Sequence, residues 1–318
     1  MSKQPKQKKP KVKKLSDDEI VEKFPNEQAA IDYLAGILWK NGTVCPYCKG
    51  QNVRERKNRK NYWHCNPCNK DFTIRVGTIF HWSHIPLRQW IRAMNYFVSD
   101  RKGISSVSLA GKLKIKQESA WFLLQRLRAA CGNMVDKLLS GIVEADEAYF
   151  GGKEKNKHAS KKLNAGRGTV GKTPVVGVRE REGNVVAQVV KSTDASTLQG
   201  IVKENVIAGS IVCTDEHASY VGLDAIFDHK TVNHSAKRYV DGLAHTNNME
   251  SFWAVLKRGH YGIYHWFSAK HTQRYVDEFA FRQNEGSSKI DTADRITALV
   301  RGMVGVRLTY KMLTQGIQ

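Results

Sequence analysis

Four of the six cysteines fall in two C-x-x-C pairs, Cys45-Pro46-Tyr47-Cys48 and Cys65-Asn66-Pro67-Cys68, with 16 residues between them. Each pair forms a tight knuckle that turns two thiolates toward one tetrahedral Zn²⁺, and two knuckles close its coordination shell. The doubled pair argues for structural zinc rather than redox chemistry, and a closed shell leaves no open position for catalysis. The stretch between the pairs reads as a hairpin with a basic turn. It presents Arg54, Arg56, Lys57, Arg59 and Lys60, whose expected partner is a phosphate backbone. His64, His81 and His84 lie nearby but are surplus to four thiolates. Cys131 and Cys213 stand alone and read as buried packing residues. This cysteine usage suits a reducing cytosol better than a disulfide framework.

The chain of 318 residues carries a formal charge of +21. Such a surplus calls for a polyanion, nucleic acid first and an anionic membrane surface second. No apolar run approaches the ~20 residues of a membrane span. Residues 1–14 hold seven lysines and no acid, with no apolar core following, so they read as a disordered basic arm rather than a secretory signal. A cytoplasmic, nucleoid-associated protein is expected.

Residues 15–83 read as a helix followed by the zinc ribbon. Asn26 can cap that helix, Ala30, Ile31, Leu34, Ile37 and Leu38 recur along it, and Asn41-Gly42 stops it. Residues 84–137 read as helical. Pro86 starts a helix with Leu87, Trp90, Ile91, Met94 and Phe97 on one face. Two further helices, 105–113 and 117–130, flank a turn at 114–116. This is helix-turn-helix phrasing, with Gln117, Glu118, Gln125 and Arg128 directed at the major groove.

From Gly141 the periodicity changes. Strands are expected at 142–150, 173–181, 184–192, 210–214 and 229–234, and helices at 194–206, 217–226 and 245–258. A basic loop occupies 153–173. Three strands, helix, strand, helix, strand, helix describes an RNase H-like mixed sheet over residues 138–285. The first and fourth strands of such a core lie side by side, so a carboxylate in the first would meet Asp215 at the end of the fourth. Glu144 and Asp146 share one face and Glu147 takes the other; parity does not choose between Glu144 and Asp146. Asn247, Glu250 and Lys257 share a face of the last helix. Two or three such carboxylates suit a pair of Mg²⁺ ions, with Mn²⁺ able to substitute, and Lys257 suits a phosphate beside them.

GIVEADEAYFGG, SIVCTDEHASY and HTNNMESFWAVLKRG, in this order and spacing, resemble the signature blocks of a bacterial insertion-sequence DDE transposase family of the ISXO-like type. The resemblance covers roughly residues 40–285. It implies cleavage at the ends of an element and attack of the freed 3′-hydroxyl on target DNA. It selects Asp146 and Asp215 as metal ligands, with Glu250 as the third acid and Asn247 as an additional or replacement ligand. Lys257 matches a basic residue on the same helix. Double-stranded DNA, as element end and as target, is the implied partner, within a homo-oligomeric synaptic complex. Two other readings are a DNA-binding regulator on an inactive core and a nuclease without strand transfer. In the tail, Tyr275 and Phe279 form an apolar helical pair, Arg274 and Arg282 face DNA or solvent, and Trp253, Tyr264 and Trp266 are expected in the core. Residues 286–318 read as a small helical region.

Overall fold

The computed structural model describes residues 12–132, 137–152, 156–163, 168–232 and 245–315. Residues 1–11 of the basic arm, 153–155 and 164–167 of the basic loop and the end of the strand expected at 229–234 lie outside the described residues.

The chain opens with α1 (Asp17–Lys23) and α2 (Glu27–Leu38). Ser16 and Glu19 close a reciprocal capping box on α1, and the Asn26 side chain accepts the Ala29 N–H of α2. Then come β1 (Val53–Glu55), β2 (Trp63–Cys65) and β3 (Lys70–Phe72), an antiparallel ribbon in that order. Its core is small: Cys45, Cys65 and Phe72, backed by Trp39 and Trp63, whose rings meet edge-on at 4.6 Å.

Three helices follow, α3 (Leu87–Ser99), α4 (Ser106–Leu113) and α5 (Gln117–Ala129). The expected face of α3 is buried throughout, and Lys114 takes a left-handed conformation (φ 54°) to turn α4 into α5. Much later in the chain, α9 (Thr292–Arg301) packs back on α2 and α3 and shares their core through Ile296, Leu299 and Val300. The Lys13 N–H donates to the Asp291 carboxylate and the Lys13 carbonyl accepts the Thr292 N–H at the start of α9, so this end of the basic arm is tied down.

The second core is a five-stranded sheet. Its elements are β4 (Ile142–Phe150), β5 (Thr173–Glu180), β6 (Val185–Val189), α6 (Ala195–Asn205), β7 (Ile211–Asp215) and β8 (Asp228–Val232). They are followed by α7 (Asn247–Gly259) and α8 (Thr272–Gln283), with α10 (Tyr310–Gln315) at the end of the described chain. The order across the sheet is β6-β5-β4-β7-β8, with β5 antiparallel to β4 and β6, and β7 parallel to β4 and β8. This is the RNase H-like arrangement. The helix expected at 217–226 is instead two short 3₁₀ turns, Ala218–Tyr220 and Leu223–Ala225. Gly222 at φ 102° between them prevents one continuous helix.

Alternation along β4 divides its residues between two helical layers. Val143 and Ala145 join α6, whereas Ala148 and Phe150 join α7 and α8. Gly177 pairs opposite Asp146 under α7, and a Cβ there would meet Met249 Cε at 2.4 Å and Trp253 Cζ2 at 2.9 Å. A glycine is what allows α7 this close to the sheet. Gly177→Ala is expected to lower unfolding stability by about 1–3 kcal/mol through overpacking, checked by urea denaturation. An unchanged midpoint would show that α7 yields without cost.

Candidate functional site

Glu144 and Asp146 lie on the same side of β4 and have opposite environments. Glu144 is fully buried. Its Oε1 accepts Arg181 Nε at 2.9 Å and the Asn248 side-chain amide at 2.8 Å. Its Oε2 accepts the backbone N–H groups of Asn248 at 2.8 Å and Met249 at 3.1 Å. Thr246, the N-cap of α7, makes no side-chain cap, so Glu144 supplies the capping carboxylate from the sheet. Three of these four hydrogen bonds come from the first residues of α7 and the fourth from Arg181.

Asp146 is held more sparsely. Its Oδ1 accepts the Glu147 N–H at 2.9 Å and its Oδ2 accepts Trp253 Nε1–H at 3.1 Å. The parallel β4–β7 pairing ends at Glu144↔Cys213, and Asp146 and Asp215 each stand two residues beyond that pair. Asp215 Oδ1 accepts the His217 N–H at 3.0 Å, which closes the loop after β7. On α7, Asn247, Glu250 and Lys257 form one exposed strip. Burial pushes the Asp146 carboxyl up to about 7, and the charges of Glu147, Asp215 and Glu250 push it the same way. The charges of Asp215 and Glu250 thus act on Asp146, although the three carboxylates do not close to within 4.8 Å of one another as the four cysteine thiols do. None of the three carboxylates makes an ion pair with a described residue, whereas Glu144 beside them is neutralised by Arg181.

Glu147 was not among the expected site residues, and it does point to the opposite face. There its Oε2 accepts the Tyr220 hydroxyl at 3.0 Å. Burial raises its pKa, and so does the charge of Asp215. Its place next to Asp146 in the chain was the one signal available. Trp253 was expected in the core and is buried, but its indole N–H has the further task of orienting Asp146. Asn248, rather than Asn247, is the asparagine bonded to a site carboxylate.

The raised Asp146 pKa makes metal-free stability depend on pH. An unfolded aspartate titrates near 3.8 and the folded one near 7, so the folded state binds more protons in that window. The contribution of this group to stability therefore falls as pH rises from about 4 to 7 and is level above. In metal-free buffer, Asp146→Asn is expected to melt a few degrees above the parent at pH 8 and no higher at pH 4. Differential scanning calorimetry at the two pH values checks this; a pH-independent difference would remove Asp146 from the buried cluster.

The four ribbon cysteines meet as their spacing predicts. Their Sγ atoms all lie within 4.8 Å of one another, with Cys45–Cys68 at 3.6 Å and Cys48–Cys65 at 3.4 Å. A Zn–S distance of about 2.3 Å implies a tetrahedron edge of about 3.8 Å, so the cluster fits zinc. Burial pushes the Cys65 thiol up to about 12. Burial opposes the Cys45 thiolate as well, but there the Cys48 and Tyr47 N–H groups outweigh it and bring the thiol down to about 7. His64 is not a ligand: its Nδ1 lies 2.7 Å from Asp71 Oδ1, which also receives Arg56 at 2.8 Å.

Several residues expected to face DNA do not. Arg56 is spent on Asp71, leaving Arg54, Lys57, Arg59 and Lys60 exposed on the ribbon. On α5, Gln117 and Glu118 are exposed, but Gln125 and Arg128 are buried against α8. Arg128 Nε bonds Glu278 at 2.7 Å, and Arg274 Nε bonds Gln125 at 3.0 Å. Arg282 joins the same Glu278 carboxylate, so the arginines of α8 serve the seam between the two cores. Only the first turn of α5 remains available to a groove. Cys131 and Cys213 are buried as expected, whereas Trp266 is 62% exposed and not in the core.

Comparison with known proteins agrees with this architecture. Residues 138–284 match the family model of the ISXO2-like transposase domain, and residues 25–71 match that of the transposase zinc-ribbon domain. An uncharacterized protein in transposable element ISH50 of Halobacterium salinarum is 28% identical over 253 residues, spanning 75% of this chain and 84% of that one. An uncharacterized transposase-like protein of Haemophilus influenzae is 32% identical over 106 residues, 33% of this chain and 85% of that one. Among solved structures, the Mos1 strand transfer complex aligns over 60% of this chain and 72% of that one at 13% identity. Its TM-score of 0.27 is too low to carry a structural argument. The two matched domains account for the ribbon and the acidic sheet in turn, and the chain belongs to the ISXO2-like transposase family.

Proposed function

We propose that the protein is a transposase that cleaves double-stranded DNA at the ends of an insertion sequence and joins them to target DNA, using Mg²⁺ or Mn²⁺. Asp146, Asp215 and Glu250 are the metal ligands in this reading, with Asn247 as an additional or replacement ligand. The observation that carries it is that the charges of Asp215 and Glu250 act on Asp146 while none of the three carboxylates makes an ion pair with a described residue, next to a fourth, Glu144, that Arg181 neutralises. Hard oxygen donors in an uncompensated cluster fit a pair of Mg²⁺ ions. When bound, such ions activate the attacking hydroxyl and stabilise the leaving oxygen of an in-line displacement. Asp146 is oriented for this by Trp253, and Glu250 is carried into place by α7, which Glu144 caps. Lys257, on the same exposed strip, steadies a phosphate of the bound strand. The ribbon's Arg54, Lys57, Arg59 and Lys60, and the first turn of α5, hold duplex on either side.

A homo-oligomer pairing two ends is part of this proposal, as is a place in the bacterial cytoplasm with the nucleoid. Among the described residues no helix is long and apolar enough to cross a membrane. The test uses end-labelled DNA from the flanks of the chain's own gene, with purified protein and Mg²⁺ or Mn²⁺. Nicking at a defined end and joining to a plasmid by the parent, but not by Asp215→Asn, is the expected result. Specific binding without cleavage in either protein would promote the reading as a regulator; cleavage without joining would make it a nuclease.

A further inference from the structure

Between the helical core and the acidic sheet run three adjoining hollows of about 450, 720 and 430 Å³. The first, beside Trp121 and Trp266, shares Ser105, Ile263 and His265 with the second. The second shares Arg101 and Lys102 with the third, which ends on Ser251, Val255 and Arg258 of α7. Ser251 is one residue from Glu250, so the groove opens about 100° around α7 from the acids.

The second and third hollows are basic, whereas the one cation lining the first, Arg128, is buried and paired with Glu278. Arg101, Lys102, Lys112, Arg258 and Lys289 are exposed in their walls and make no ion pair with a described residue. Asp100 is the one acid among the residues lining the three hollows. At the far end of the groove Trp266 is 62% exposed, although a tryptophan in water forfeits a large burial gain. Its position is held by the backbone. A π-helical turn, His260–Tyr264, ends α7, and His265 adopts φ 58°, costly for a residue with a Cβ. Gly103 at φ 90° presses against Tyr264 from the helical core, which fixes the wall from behind.

Cations that track a backbone, together with an exposed indole, suit DNA whose bases are free to stack. A duplex offers its phosphates to such cations but hides its ring faces. We propose that this groove binds an unpaired DNA strand, with a base stacked on Trp266 and the phosphates led past Arg101, Lys102 and Arg258 toward the acids. The inference rests on the proposed function only in taking the acids as the destination of that strand.

The test measures binding by full-length protein in metal-free buffer, where no cleavage interferes. Fluorescence anisotropy compares a blunt duplex with the same duplex carrying a single-stranded thymidine overhang. Trp266→Ala is expected to weaken binding of the overhang DNA by about five- to hundredfold and leave the blunt duplex unchanged. Trp266→Phe, which retains a stacking face, restores most of the loss. Arg258→Gln combined with Lys289→Gln lowers the salt dependence of overhang binding by roughly two phosphate contacts. Equal affinity of Trp266→Ala and parent for the overhang DNA would overturn the proposal, as would equal losses on both DNAs. A changed oligomeric state with unchanged overhang binding would instead assign Trp266 to a contact between copies. Because the readout is binding, an inactive protein that still prefers the overhang would sink the transposase reading while leaving the groove in place.

Discussion

Asp146→Asn is expected to yield a folded protein whose DNA cleavage falls by at least about a thousandfold, whereas Glu144→Ala fails first in folding. The two residues are two apart on one strand face, and the difference comes from their partners. Asp146 accepts two N–H groups, its neighbour's and that of the Trp253 indole, and an amide of the same shape keeps one of these bonds and gives up the other, a local loss of about 1 kcal/mol. What the amide removes is the negative charge of a ligand, and loss of metal-centred transition-state stabilisation of about 4 kcal/mol corresponds to that thousandfold. Removing the Glu144 carboxylate takes an anionic partner from the Arg181 guanidinium and uncaps α7 at Asn248 and Met249. Breaking a buried ion pair costs about 3–5 kcal/mol, a large share of a total stability of roughly 5–15 kcal/mol. Circular dichroism melts and end-labelled cleavage, run on both variants, check the pair. A stable but inactive Glu144→Ala beside an active Asp146→Asn would exchange their roles.

Removing zinc is expected to unfold the ribbon while the acidic sheet stays intact. The ribbon has three strands of three residues each and a core of Cys45, Cys65 and Phe72, too little apolar surface to offset its chain entropy. Structural zinc contributes about 10–16 kcal/mol in comparable small domains, so the fold of this part is linked to the metal. Cys65→Ser, or chelation of the parent, should release one zinc per chain and shift tryptophan emission through Trp39 and Trp63. The far-UV signal of the remaining helices and sheet should persist, because their cores are separate clusters and Trp39 is the side chain that the helical core shares with the ribbon's. Zinc retained in full by Cys65→Ser, with unchanged emission, would contradict a four-cysteine site. DNA affinity should fall with the ribbon, since Arg54, Lys57, Arg59 and Lys60 lose their common scaffold.

Much of this molecule was legible in its residues because the relevant signals are local. The cysteine spacing predicts the thiolate cluster, and the strand at 142–150 appears with those bounds, since alternation and a terminal Gly151-Gly152 define it within a few residues. The order of strands and helices was enough for the RNase H-like sheet. The site was legible as a set of acids on named faces, and there local pattern ends. Periodicity says which face a side chain occupies and nothing about what covers that face. Gln125 and Arg128 have the right phase for a recognition helix but meet α8, some 150 residues later. Trp266 has the composition of a core residue, but a π-turn and a positive φ at His265 turn it outward.

The sequence by itself determined the elements, their order and the chemical types available, because turns, caps, alternation and metal-ligand spacing act over a few residues. Parity left Glu144 and Asp146 alike, the family resemblance favoured Asp146, and only the tertiary structure shows how their environments differ. Both satisfy the same parity, and their difference lies in partners brought from the turn after β5 and from α7: Arg181 and two helix N–H groups for one, an indole N–H and carboxylates without an ion pair among the described residues for the other. Desolvation and charge compensation depend on the whole surrounding volume, so neighbours distant in the chain set which carboxylate caps a helix and which has no ion pair with a described residue.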